Sequence, residues 1–147
     1  MRPTHGAVLK AEEGAATSVL ARTFNVRVDR DAVIEFRRAT GEAVADPHVP
    51  LTYPVCWLAL REVRAMIDSM LGDENIVPVH EAQSFEYEQA LEIGADYSLG
   101  LEMARTDTPP RLTVTATVAT PEGKPCVRIE TVLRLVPIAV PSVSAGG

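Results

Sequence analysis

The sequence predicts an α+β fold in which a curved antiparallel sheet wraps around a long central helix. Three observations carry that prediction. From Pro54 to Gly72 the chain holds a wide apolar arc at helical spacing. After Gly72 the pattern changes to period two and keeps it as far as Leu135. Phe, Tyr and Trp together make up 5% of the 147 residues while Val and Thr abound, so the core must be aliphatic and β-branched, the chemistry of strands.

A first strand is expected over residues 19–28, where Phe24, Val26 and Val28 alternate with Asn25 and Arg27. Asp29 offers an N-cap to a short helix, and Gly41 sits where a left-handed C-cap would end it. On that helix Ala32, Val33, Phe36 and Ala39 share the inward face, and Glu35, Arg37 and Arg38 turn to water. Residues 42–54 contain Pro47, Pro50 and Pro54, which remove donors and restrict φ, so a rigid extended loop follows. Pro54 then opens the long helix. Val55, Leu58, Ala59, Val63, Met66, Ile67 and Met70 form its stripe, Cys56, Leu60 and Leu71 widen it, and Gly72 closes it.

Val77, Val79, Phe85 and Tyr87 fit one face of the next strand, with a bend near residues 81–84 and His80 on the opposite face. Turns at residues 93–96, 107–110 and 121–124 separate three more alternating runs. These follow Leu99, Leu101 and Met103, then Leu112, Val114 and Val118, then Val127, Ile129, Thr131, Leu133 and Leu135. Short turns make these strands antiparallel neighbours, each with one apolar and one polar face.

The length suits one domain over residues 1–147, with a loose arm over 1–16 and a flexible tail over 138–147. Net charge is −6, from 14 basic and 20 acidic residues, and there is no basic run, which argues against nucleic-acid and anionic-membrane partners. No run of about 18 apolar residues is present to span a membrane. The first 25 residues lack the apolar run of a signal peptide, and Cys56 and Cys126 sit in apolar runs, as reduced thiols do; both favour the cytoplasm. Histidines at 5, 48 and 80 have no metal-ligand spacing, and no Gly-rich phosphate loop occurs, so no metal or bound cofactor is expected.

Three stretches resemble the MaoC-like dehydratase and (R)-specific enoyl-thioester hydratase superfamily of the hotdog fold. Phe24-Asn25-Val26-Arg27-Val28-Asp29, running on to Phe36 and Gly41-Glu42, is similar to that family's opening strand and its helix ending in Gly-Asp. Pro54-Val55-Cys56-Trp57-Leu58 resembles the start of its central helix. Val79 to Tyr87, followed by Leu91-Glu92-Ile93-Gly94-Ala95-Asp96, resembles its segment ending in Leu-x-x-Gly-Asp. The likeness covers roughly residues 17–137.

The resemblance implies an acyl-CoA or acyl-carrier-protein thioester as substrate, with coenzyme A or the carrier protein travelling as part of it, and water added or removed beside the carbonyl. It implies His48 as acid/base, Glu42 or Asp46 assisting, and an oxyanion donor in the N–H near Val55, with Tyr53, Val55, Cys56 and Trp57 lining the substrate site. It also implies a homodimer, or a heterodimer with another hotdog subunit, paired through edge strands. The motif is degenerate. Glu42 stands where the family has Asp, His48 follows Glu42 by six residues instead of five, Tyr53-Pro54 replaces the Gly at the helix start, and the lid over the acyl tunnel is trimmed. A non-catalytic hotdog subunit that binds acyl groups beside an active dehydratase is therefore the alternative. An acyl-CoA thioesterase using Glu62 or Asp68 is the third.

Overall fold

The computed structural model describes residues 18–73 and 75–138. The expected arm over residues 1–16 lies outside them, as does the expected tail beyond Ile138.

Strand β1 (Ser18–Arg27) runs into Val28, which is fully buried and is pinned to the chain before β3 by Val28 N–H to Ala95 O (3.0 Å) and Gly94 N–H to Val28 O (2.7 Å). Helix α1 (Arg30–Thr40) begins and ends where its caps dictate. Asp29 Oδ2 accepts from Ala32 N–H at 3.0 Å, and Gly41 takes φ +78°, from which its N–H reaches the Arg37 and Arg38 carbonyls. The inward face differs from the expectation. Ala32 and Ala39 are exposed, and Arg37, expected in water, is 3% exposed. Val33, Phe36 and Arg37 lie at i, i+3 and i+4, so the guanidinium shares their face, and oxygens waiting in the next loop make its burial tolerable.

The single long helix expected from Pro54 is two pieces. A 3-10 helix (Tyr53–Ala59) comes first, and α2 (Arg61–Leu71) follows. Between them Leu60 takes an extended ψ of 145°, and its N–H bonds the Trp57 carbonyl at 3.3 Å. Three residues per turn put Pro54 and Trp57 on the buried side and leave Cys56 exposed, which overturns its place in the stripe. From Val63 onward the stripe is as expected: Val63, Met66, Met70 and Leu71 are buried. Gly72 ends α2 at φ +70°. Arg105 on β3 donates to the Met70 and Leu71 carbonyls at the same end.

Strands β2 (Ile76–Tyr87), β3 (Asp96–Asp107), β4 (Pro110–Ala119) and β5 (Pro125–Pro137) join β1 in one antiparallel sheet of order β1-β3-β4-β5-β2. The inward row runs through Leu99, Leu101 and Met103, then Leu112, Val114, Ala116 and Val118, then Val127, Ile129, Thr131 and Leu135, all buried against Val33, Trp57, Val63 and Met66. β2 is irregular where the bend was expected, but its faces depart from expectation. Its pairing with β5 slips between His80 and Ala82, so Glu81 is an extra residue. A bulge reverses which residues face inward, so Phe85 and Tyr87 point to the core side while Val77 and Val79 are exposed on the outer face. His80 is opposite Val77 and Val79, as expected, but that side is the inner one.

Candidate functional site

The 42–48 loop leaves α1 under tight control. Glu42 N–H bonds the Arg37 carbonyl at 2.8 Å. The Arg37 side chain, 4% exposed, then gathers the loop: one terminal nitrogen meets Glu42 Oε1 at 3.0 Å, and the other lies 3.7 Å from Asp46 Oδ1 and donates to the His48 carbonyl. Glu42 Oε2 also accepts from the Thr40 hydroxyl at 3.3 Å. Asp46 Oδ1 accepts the His48 backbone N–H at 2.8 Å and lies 2.9 Å from His48 Nδ1. The His48 backbone N–H and then its ring hold the Asp46 carboxyl below its ordinary range against the opposing effect of burial, with the Arg37 charge adding less. An ionised carboxylate has no proton to give, so His48 Nδ1 is the donor and Nε2 is the open nitrogen. The His48 side chain is 86% exposed.

All three expected catalytic residues therefore meet, but at Arg37, which the sequence reading had turned to water. Glu42 and His48 are joined only through it, and its Nε is buried with no hydrogen-bond partner among the described residues. The missed signal was the helical wheel: Arg37 is one turn on from Val33.

The expected substrate contacts separate. Tyr53 is 2% exposed and stacks edge-on between Phe36 (5.6 Å) and Trp57 (5.9 Å), where burial pushes its hydroxyl pKa up to about 12. Trp57 is core as well. Partial burial raises the Cys56 thiol pKa, which disfavours the thiolate. Val55 N–H already donates to Thr52 O at 3.1 Å, so an oxyanion would have to share it.

Of those four positions only Val55 lines the cleft of about 400 Å³ between the 3-10 helix and α2 on one side and β2, β4 and β5 on the other. Its walls are mostly apolar, with Leu58, Ile67 and Leu133 prominent, and Arg64, Asp68 and His80 also line it. Asp68 is expected only in the thioesterase alternative, and His80 only on the face opposite Val77 and Val79. Gln83 and Thr131 complete the lining, joined by Gln83 Nε2 to Thr131 Oγ1 at 3.0 Å. Among the described residues no group of His, Cys, Asp and Glu is placed to hold a metal ion, and no helix is long and apolar enough to cross a membrane.

No family model matches the chain, and no curated protein matches it. Solved structures do. The truncated HadBC (3R-hydroxyacyl-ACP dehydratase) complex from Mycobacterium tuberculosis superposes with a TM-score of 0.65 at 13% identity, over 81% of this chain and 95% of that one. A hot-dog-like protein from Thermanaerovibrio acidaminovorans gives 0.61 at 12% identity, over 86% and 87%. A 1,4-dihydroxy-2-naphthoyl-CoA thioesterase from Synechocystis gives 0.58 at 9% identity, over 82% and 85%. With one antiparallel sheet packed on the 3-10 helix and α2, and with these neighbours, the chain has the hotdog fold.

Proposed function

We propose that the chain is an acyl-thioester hydratase or dehydratase in which His48 moves the proton. The observation that carries this reading is the 2.9 Å pairing of His48 Nδ1 with Asp46 Oδ1, which orients the ring and leaves Nε2 outward. Asp46 fixes the tautomer, Arg37 fixes Asp46, and Glu42 steadies Arg37 from the far side. In the hydration direction Nε2 takes a proton from water as the oxygen attacks the carbon β to the thioester carbonyl. Charge then develops on the carbonyl oxygen, where a backbone N–H near Val55 is the donor at hand, and the C=O re-forms as Nε2 returns its proton to the α carbon. The acyl group is carried on coenzyme A or acyl carrier protein.

Hydration of crotonyl-CoA and longer enoyl-CoA thioesters tests the reaction. His48→Ala should lower kcat about 100-fold or more, and Asp46→Asn about tenfold, through loss of ring orientation. A wild-type protein without turnover at high enzyme concentration rules the reaction out.

One observation favours a second reading, that of a non-catalytic acyl-binding subunit: no residue of the 42–48 loop lines the cleft. Co-purification with a hotdog subunit bearing an intact Asp/His motif would support it.

A further inference from the structure

Apart from Tyr53, Trp57, Tyr97 and Cys126, two polar side chains are buried among the described residues, Arg37 and Thr131. Arg37 belongs to the loop clasp. Thr131 belongs to the cleft. It stands in the inward row of β5 between Ile129 and Leu133, faces Val114 across the ladder on β4, and is 5% exposed. A hydroxyl in such a row is costly unless something bonds it.

Gln83, directly opposite on β2, meets part of that need. Its Nε2 donates to Thr131 Oγ1, which uses one lone pair of the hydroxyl and one amide hydrogen. Among the described residues no second hydrogen bond engages Thr131 Oγ1 or Gln83 Oε1, and since only Arg37 Nε is buried without any partner, both groups open onto the cleft rather than into sealed core. Side by side on the cleft floor, they form one donor and one acceptor beneath apolar walls. A methyl or methylene satisfies neither. A carbonyl or ether oxygen satisfies the donor alone. A hydroxyl satisfies both.

From this juxtaposition we infer that the cleft selects an acyl chain bearing a hydroxyl group, seated on Thr131 and Gln83. The inference rests on the acyl-thioester reading for the head of the ligand, and on the cleft alone for the hydroxyl. Thr131 and Gln83 line the cleft and no residue of the 42–48 loop does, so the inference assigns this hydroxyl to a position beyond the carbons at which water would add. Its volume is within the range of small-molecule sites.

The test is equilibrium binding of the full-length protein to decanoyl-CoA and to its monohydroxylated isomers, with the hydroxyl moved along the chain beyond the third carbon. At least one isomer should bind about tenfold more tightly than the parent, the discrimination expected when a site's buried polar groups are matched. Thr131→Val keeps the shape and should erase that preference, bringing the affinity ratio of isomer to parent to about one. Should Thr131→Val fail to fold, Gln83→Met removes the facing acceptor and must weaken the preference in the same way.

Equal binding of parent and isomers overturns the inference. So does an equal loss for both ligands in the variants, or no binding at all. The reaction stands or falls separately. His48→Ala should abolish turnover and keep the hydroxyl preference. A wild type that shows the preference without turnover refutes the hydratase and leaves the cleft assignment standing.

Discussion

Arg37 brings a permanent charge beneath the 42–48 loop, with 4% of its side chain exposed. An arginine cannot shed its proton to escape that burial, so oxygens must come to it. Glu42, Asp46 and the His48 carbonyl do so, and through them one side chain determines where the imidazole stands. Both carboxylates remain 43% exposed, which screens each pair and lowers its contribution below that of a fully buried one. Arg37→Met should lower the unfolding free energy by about 1–3 kcal/mol. Urea denaturation reads the change, and an unaltered midpoint would mean that the guanidinium stabilises the loop no better than a thioether.

At the scale of elements, local rules decide the ends and tertiary packing decides the insides. Gly41 shows the first. Its φ of +78° meets no neighbour within 4 Å of a built Cβ, so any cost of a side chain there is backbone strain alone. Gly41→Ala should lose about 1 kcal/mol, or roughly 3 °C in Tm, and Gly41→Asn less. Calorimetry that finds alanine neutral would show the left-handed cap to be dispensable. The 3-10 helix and the bulge at Glu81 show the second. An apolar run from Pro54 to Leu71 fits one α-helix as well as two shorter pieces, and the break at Leu60 carries no proline or glycine to announce it. At Glu81 the sequence predicts a bend but not an inserted residue that reverses the faces. The Glu81 carboxylate meets Arg111 at 2.8 Å through two oxygens and Arg134 at 4.0 Å, contacts across β4 and β5 that no local pattern contains.

The whole molecule ends its sheet on β1 and β2, and β2 carries exposed Val77 and Val79 beside Val136 of β5. An edge strand with an apolar border is a pairing hazard unless something covers it. The homodimer implied by the resemblance would cover it if β2 joined β2 of a second copy. Sedimentation equilibrium should then give twice the chain mass, and Val79→Lys should weaken association about tenfold or more. A monomer at micromolar concentration would reject this pairing.

Much of this was open to a reader of the residues. Period-two alternation placed β3, β4 and β5, and the caps at Asp29, Gly41 and Gly72 marked the helix ends, because these signals act between near neighbours. Asp46 and His48, two residues apart, were expected together for the same reason. Even Thr131 was visible, a hydroxyl set in an apolar row, though nothing local said that Gln83 would face it 48 residues away. By itself the sequence determined the fold class and the antiparallel run of β3, β4 and β5, and it named Glu42, Asp46 and His48 but not the Arg37 that gathers them. Only the tertiary structure decided that Arg37 turns inward, that β2 changes faces at Glu81, and that Asp68, His80, Gln83 and Thr131 surround one cleft. Those outcomes depend on which distant groups are available to satisfy a buried charge or fill a row, and sequence spacing does not encode that distance.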